Sequence, residues 1–112
     1  GIHHGGAIIP APQLMVDGLL RNTSGILKRA RGASIVPALF ARSTRDAIEQ
    51  GTRYAAAAVI DRAVEMAKRH LRVAPGVLLP GGAAPELRQL LFSRHDFVPD
   101  LVLRGLAVIA KA

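Results

Sequence analysis

The feature that most constrains the fold of this chain is a long helical segment that begins after Ser43. The four residues from Ser43 to Asp46 fit a capping box, in which a serine side chain accepts a hydrogen bond from the amide three residues later and an acidic side chain returns one. Asp46 and Glu49 are placed to stabilise the positive end of the helix dipole, and the Lys68-Arg69-His70 run its negative end. These signals predict one long helix over residues 44–71.

The apolar face of this helix is predicted from residues that recur at three- and four-residue spacing. The predicted face comprises Ile48, Ala55, Val59, Ala63 and Met66, widened by Ala47, Ala58 and Ala67. The alanine run at 55–58 would let another helix or a sheet approach closely.

The residues before the long helix change from a strand-like to a helical pattern. Ala7-Ile8-Ile9 is apolar and rich in β-branched residues, which predicts a strand that ends at Pro10. Apolar residues then recur at helical spacing, which predicts a first helix from Pro12 to about Asn22. Residues 23–42 are interrupted by glycine and proline, and we expect a loop or short helical turn there.

Shorter elements are predicted after the long helix. Val77-Leu78-Leu79 is a continuous apolar run, typical of a strand covered on both faces in a parallel sheet. A helix is predicted from Pro85 to Phe92, because proline is common in the first turn of helices. A short connector or edge strand follows from His95 to Pro99, and an apolar helix from Leu101 to Ala110.

This alternation of strands and helices predicts an α/β layered fold. The 112 residues form one domain at most. Two or three strands are too few to make a sheet that covers four helices. We therefore expect that strands of the complete domain are missing from this chain.

The positive charge of the chain raises nucleic acid as a partner. The formal net charge is +7, but most arginines and lysines occur singly. The densest groups are the Lys28, Arg29 and Arg31 cluster and the Lys68-Arg69 pair. Without a basic run of five or interleaved aromatic residues, a solvated basic surface is the favoured interpretation. A missing acidic segment would also explain the imbalance.

Several other site classes find no support in the residues. The chain has no cysteine, so disulfides and thiolate metal sites are excluded. It also has no apolar stretch of the roughly 20 residues that cross a membrane and no signal peptide, so we expect a cytoplasmic protein. His3 and His4 are adjacent and would point to opposite faces of a strand, so we expect no metal site there. No catalytic triad or carboxylate pair is recognisable.

Two glycine pairs, Gly5-Gly6 and Gly81-Gly82, lie beside predicted strands. Glycine lets the backbone approach a phosphate or nucleotide closely, but it also forms tight turns, which is the favoured interpretation for either pair alone. Neither pair matches the Walker phosphate loop.

Several segments along nearly the whole chain resemble segments of the type III pantothenate kinases and occur in the same order. The resemblance rests on Gly5-Gly6-Ala7-Ile8-Ile9-Pro10, the helix start at Pro12, Ser43-Thr44-Arg45-Asp46-Ala47-Ile48-Glu49-Gln50-Gly51, the strand and Gly-Gly turn at Val77–Ala83, and Pro99-Asp100-Leu101-Val102-Leu103-Arg104-Gly105-Leu106. Two residues depart from the family pattern: Ala11 replaces a glycine, and Pro80 stands where threonine is frequent.

The resemblance implies an actin-like kinase with two RNase H-like domains. Such an enzyme transfers the γ-phosphate of ATP to pantothenate, with magnesium and a monovalent cation (potassium or ammonium), and acts as a homodimer. The family's phosphate loops and catalytic base precede the Gly-Gly segment and do not occur in this chain. Residues 1–112 would then be the C-terminal part of the second domain, supplying substrate wall and dimer surface, without a catalytic residue or turnover of their own. Its partners would be pantothenate and the missing N-terminal half.

The resemblance carries over few site residues. Thr44 matches a threonine that contacts pantothenate, and its alternative role is that of an ordinary helix-start residue. Gly81 and Gly82 resemble the adenosine-side turn, and Gly5 and Gly6 follow the second phosphate loop. Two alternatives stay open: a basic, non-enzymatic nucleic-acid-binding module, and an inactive family member that acts through protein contacts.

Overall fold

The computed structural model describes residues 1–22, 39–82 and 84–112. The helices and strands in these ranges are α1 (Pro12–Asn22), α2 (Thr44–Leu71), β1 (Leu78–Leu79), α3 (Ala84–Arg88), β2 (Asp96–Phe97) and α4 (Leu101–Lys111). The chain divides into two compact units, residues 1–52 and 53–112. The basic cluster of Lys28, Arg29 and Arg31, and most of the loop predicted at 23–42, lie outside the described residues.

In the first unit, the strand predicted at Ala7–Ile9 is wrong. Residues 1–11 form neither helix nor strand, and the Ile8 side chain is fully exposed. A strand needs a neighbour to accept and donate its backbone hydrogen bonds, and the described residues of this unit offer none. The first helix, by contrast, is confirmed at Pro12–Asn22. The Asn22 side chain closes it by donating to the Gly18 carbonyl at 3.0 Å.

The long helix α2 has the predicted bounds, Thr44–Leu71. Its first turn is capped as expected: the Asp46 amide donates to the Ser43 hydroxyl oxygen at 3.1 Å. At the other end the chain leaves the helix through Arg72, whose φ of 58° lies in the left-handed region. The cap and the change of backbone conformation explain where this helix begins and ends.

Most residues of the face predicted to be buried on α2 are exposed, and only Ile48 and Ala67 of that set are half-buried. Val59 and Met66 are 43% and 59% exposed, whereas Ala56 and Ala57 are buried at 2%. The half-buried residues that continue this stripe are Ile60, Asp61, Val64 and Ala67. Alanines occur on every side of this part of the helix, so their spacing does not distinguish the buried stripe from the exposed one.

The second unit contains a two-stranded parallel sheet. β1 and β2 pair in the register Leu78 with Asp96 and Leu79 with Phe97. The strand predicted at 77–79 and the short strand alternative at 95–99 are thereby confirmed in outline. The prediction that β1 is covered on both faces is wrong, because Leu79 is 7% exposed but Leu78 is 51% exposed. The structure therefore has mixed helix and strand content, with few strands in its described part.

Helix α3 is shorter than predicted, ending at Arg88 instead of Phe92. The chain turns at once, with the Leu90 amide donating to the Leu87 carbonyl at 2.9 Å. The Phe92 amide donates to the Asp61 carboxylate at 3.0 Å instead of to a helical carbonyl. A side chain distant in sequence thus supplies the acceptor that a longer helix would have supplied.

Helix α4 follows the prediction closely, at Leu101–Lys111. The Arg104 side chain donates to the Asp100 carboxylate at 2.8 Å, and this bond holds the pKa of Asp100 below its usual value. The apolar face of the helix, which comprises Val102, Leu103, Leu106 and Ile109, is more than half exposed at every one of these residues. None of the described helices is both long enough and apolar enough to cross a membrane.

Candidate functional site

Thr44 is the first residue of α2, and it is exposed. The neighbouring Ser43 provides the helix cap, through its hydroxyl and through its carbonyl, which accepts from the Ala47 amide at 2.9 Å. The Thr44 hydroxyl is therefore not needed to cap the helix. A free hydroxyl at this position can donate one hydrogen bond to a bound molecule and accept others from it.

Gly5 and Gly6 lie in the exposed segment that precedes α1. Gly5 has a φ of 104°, a conformation that side chains rarely adopt, so glycine is required there by the backbone. A Cβ added at either residue would meet no atom within 4 Å. The space beside this backbone is therefore open, as a turn or an approaching ligand would need.

Gly81 and Gly82 form a turn that is held against Pro99. The Gly81 amide donates to the Pro99 carbonyl at 3.3 Å, and a Cβ added at Gly81 would lie only 2.9 Å from that oxygen. Gly82 has a φ of 75° and open space around it. The chain's own backbone thus explains the glycine at 81, whereas only the neighbourhood of Gly82 has room for another molecule.

These predicted site residues belong to different units. Gly5, Gly6 and Thr44 lie in residues 1–52, and Gly81 and Gly82 lie in residues 53–112. Thr44 begins a helix and Gly81-Gly82 form a turn, whereas Gly5 and Gly6 lie in a segment without regular structure.

The sequence did not single out Asp61, which is the most highly connected carboxylate of the second unit. Its oxygens accept hydrogen bonds from the Phe92 amide at 3.0 Å, the Ser93 amide at 2.9 Å and the Ser93 hydroxyl at 2.7 Å. Its partners lie 31 and 32 residues further along the chain. The only signal in the sequence would have been a carboxylate on the half-buried side of α2. Because this helix is rich in alanine, the sequence pattern does not show which side is buried.

The contacts of Asp61 also change its acidity. Partial burial alone would raise the pKa of Asp61, but the Phe92 amide, the Ser93 hydroxyl and amide and the nearby His95 favour the charged form, and the net pKa is lowered. The His95 ring nitrogen Nδ1 donates to the Ser93 carbonyl at 2.9 Å, which extends the connection. Asp61 therefore fixes the loop between α3 and β2, and this role is structural.

In residues 1–22, 39–82 and 84–112, no group of three or more histidine, aspartate or glutamate side chains could hold a metal ion. None of the described residues is accordingly assigned as a metal ligand.

Comparisons with known proteins identify relatives along the whole chain. The family model described as type III pantothenate kinase matches residues 1–66. A type III pantothenate kinase of Nitrosococcus oceani is 40% identical over 99% of this chain and 41% of its own length. The Azoarcus sp. protein of that name is 41% identical over 100% of this chain and 40% of its own length. The Stenotrophomonas maltophilia protein is 40% identical over 96% of this chain and 42% of its own length. The chain thus spans about two fifths of these relatives' length.

Proposed function

Because this chain belongs to the type III pantothenate kinase family, we propose that it is part of an enzyme that phosphorylates pantothenate with ATP, the first step of coenzyme A synthesis. The observation that carries this proposal is that proteins named type III pantothenate kinase match essentially the entire chain. Since the chain spans only two fifths of those relatives, the activity belongs to the intact protein. ATP as co-substrate favours the cytoplasm as its location.

The fold proposed for the intact region is an RNase H-like domain of the actin-like kinases. Support comes from the parallel pairing of β1 and β2 across the intervening helix α3. A parallel connection through a helix is the unit from which layered α/β sheets are built. Residues 1–112 would form the C-terminal part of the second domain, and further strands of that domain would come from the rest of the intact protein.

In this enzyme we assign Thr44 to contact pantothenate. The assignment is supported by its exposed position at the start of α2 and by Ser43 taking over the capping role. Pantothenate carries hydroxyl, amide and carboxylate groups, all of which can pair with a threonine hydroxyl. The N-terminal end of a helix also favours a nearby carboxylate through the helix dipole.

The glycine pairs are assigned to the nucleotide side of the enzyme. ATP would supply the transferred phosphoryl group, and Gly5, Gly6 and Gly82 have open backbone that could approach it. Gly81 acts indirectly, since its missing side chain lets the turn sit against Pro99. Magnesium and a potassium or ammonium ion belong to the same proposal, with ligands in the rest of the protein.

The dimer surface is assigned to the exposed side of α2 in the second unit. Ala55, Ala58, Val59, Ala63 and Met66 are all exposed and lie on one side of this helix. Small residues in such a stripe allow the backbone of a second helix to approach closely. The face that was expected to pack within the chain is thus available for a second copy.

The activity is tested with the intact protein and ATP labelled in the γ-phosphate. Transfer of label to pantothenate, and its absence when pantothenate is omitted, is the expected result. An intact protein that binds ATP but labels no pantothenate would contradict the proposal. The nucleic-acid-binding alternative finds no support in the comparisons, all of which name pantothenate kinases.

A further inference from the structure

A groove of about 590 Å³ lies in the second unit, beside α3 and the segment that leads into β2. The residues that line it are Pro85, Arg88, Gln89, Ser93, Arg94 and His95. They include two arginines and a histidine, and no carboxylate is among them. Thr44 and the two glycine pairs are not among its lining residues.

Three of the lining side chains are held in place by neighbours. The guanidinium carbon of Arg88 lies 5.0 Å from the centre of the Phe97 ring, a cation–π contact that orients the guanidinium. Ser93 is bound through its amide and hydroxyl to Asp61. The His95 ring uses Nδ1 to donate to the Ser93 carbonyl at 2.9 Å, which leaves its Nε2 for another partner. The groove therefore offers polar groups that need little reordering to bind a ligand.

The acids around the groove do not pair with its two arginines. Glu86 lies 3.7 Å from Arg53, and Asp61, which faces His95, is occupied by Phe92 and Ser93. Asp96 on β2 is exposed and does not line the groove. Among the ion pairs of the described residues, none includes Arg88 or Arg94.

We propose that this groove binds a small molecule that carries a phosphate group, with Arg88 and Arg94 as its charged contacts and His95 Nε2 accepting a hydrogen bond from a P–OH or another hydroxyl of the ligand. Arginine presents five N–H donors in a planar fork that matches phosphate oxygens. The volume of the groove falls within the roughly 300–1,000 Å³ of small-molecule sites. A nucleic acid would need a longer positive track with aromatic rings for its bases, and the residues that line this groove include no aromatic ring of phenylalanine, tyrosine or tryptophan. The proposal does not depend on pantothenate kinase activity.

The test is equilibrium dialysis of the chain against labelled inorganic phosphate at constant ionic strength, since dialysis counts bound ligand whatever the assembly state of the chain. Saturable binding of about one phosphate per chain is expected. Arg94→Gln should weaken it roughly tenfold, because a charge-assisted contact is lost. Arg94 makes none of the ion pairs of the described residues, so this variant keeps the fold. Arg88→Gln should weaken it at least as much.

The matched control is Arg62→Gln, which removes the same charge from an exposed position on α2 outside the groove. It should leave phosphate binding unchanged. Equal weakening by Arg62→Gln, or binding that does not saturate, would show a diffuse charge effect and overturn the proposal. Tighter binding of a single-stranded oligonucleotide, lost through Arg94→Gln and steeply salt-dependent, would assign the groove to nucleic acid instead and equally overturn it.

Discussion

The Asp61 carboxylate accepts hydrogen bonds from both the amide and the hydroxyl of Ser93, at 2.9 and 2.7 Å. This relationship joins the middle of α2 to the loop between α3 and β2, across 32 residues of sequence. It also places Ser93 and His95 at the edge of the basic groove. The loop thus depends on one carboxylate.

Asp61→Asn should destabilise the chain by about 1–3 kcal/mol, because hydrogen bonds to a charged acceptor are lost and an amide group then faces the Phe92 N–H. Urea unfolding of the two proteins measures the difference. Glu65→Gln is the control, since it changes an exposed carboxylate one helical turn away that pairs only with Arg69 at 3.4 Å. Equal effects of the two substitutions would show that Asp61 does not hold the loop.

The contribution of Asp61 should also depend on pH. Its folded-state pKa lies below the unfolded value of about 3.9, so the extra stability is fully present above that value and is lost as pH falls through the folded pKa. The stability difference between the wild-type chain and Asp61→Asn should therefore shrink on acidification. Asp100 titrates in both proteins, and its effect cancels in the difference. A difference that stays constant down to the lowest pH at which both fold would contradict this account.

The Gly81-Gly82 turn predicts a ranking of alanine substitutions. Gly81→Ala places a Cβ 2.9 Å from a backbone oxygen, so a segment must shift, at a cost of about 1–3 kcal/mol. Gly82→Ala forces a φ of 75° on alanine, for about 1–2 kcal/mol. Gly76→Ala, with open space and no positive φ, is the control and should be nearly neutral. Thermal melts of the three variants give the ranking, and an effect of Gly76→Ala as large as that of Gly81→Ala would refute the close approach to Pro99.

Thr44 and Ser43 can be separated by paired substitutions in the intact enzyme. Thr44→Val should raise the KM for pantothenate more than that for ATP, because the partner group loses a hydrogen bond at a cost of about 1–3 kcal/mol. Ser43→Ala should instead lower stability by about 1 kcal/mol through loss of the helix cap. Steady-state kinetics and melting of both variants are the measurements. If Thr44→Val leaves the pantothenate KM unchanged, Thr44 is only a helix-start residue.

Local signals predicted the bounds of α1, α2 and α4 well, but not the end of α3. The cap at Ser43 and the pattern after Pro12 gave the bounds of α2 and α1, because both depend on residues within a few positions of each other. The prediction of a strand at Ala7–Ile9 was wrong, since a strand requires a neighbouring strand whose presence a local sequence pattern does not show. The Asp61 bonds to Phe92 and Ser93 were missed for the same reason, as their geometry exists only in the folded chain.

The buried face of α2 shows a second limit. Alanine at positions 55–58 gives similar hydrophobicity to several sides of the helix, so burial of Ala56 and Ala57 could not be read from spacing. The choice between the two sides is made by packing within the second unit. The predicted site residues could be located by resemblance, but only the structure distinguished the steric need for Gly81 from the open space at Gly82.

We propose that these residues are one portion of a pantothenate kinase whose phosphoryl-transfer groups lie elsewhere in the intact protein. This proposal is tested most directly by measuring pantothenate-dependent ADP formation for the intact protein and for the 112-residue chain under the same conditions. Turnover is expected from the intact protein and not from the chain, because metal-binding and base-positioning acids are needed around the transferred phosphate. ADP formation by the chain alone, or an intact protein without pantothenate-dependent turnover, would contradict it.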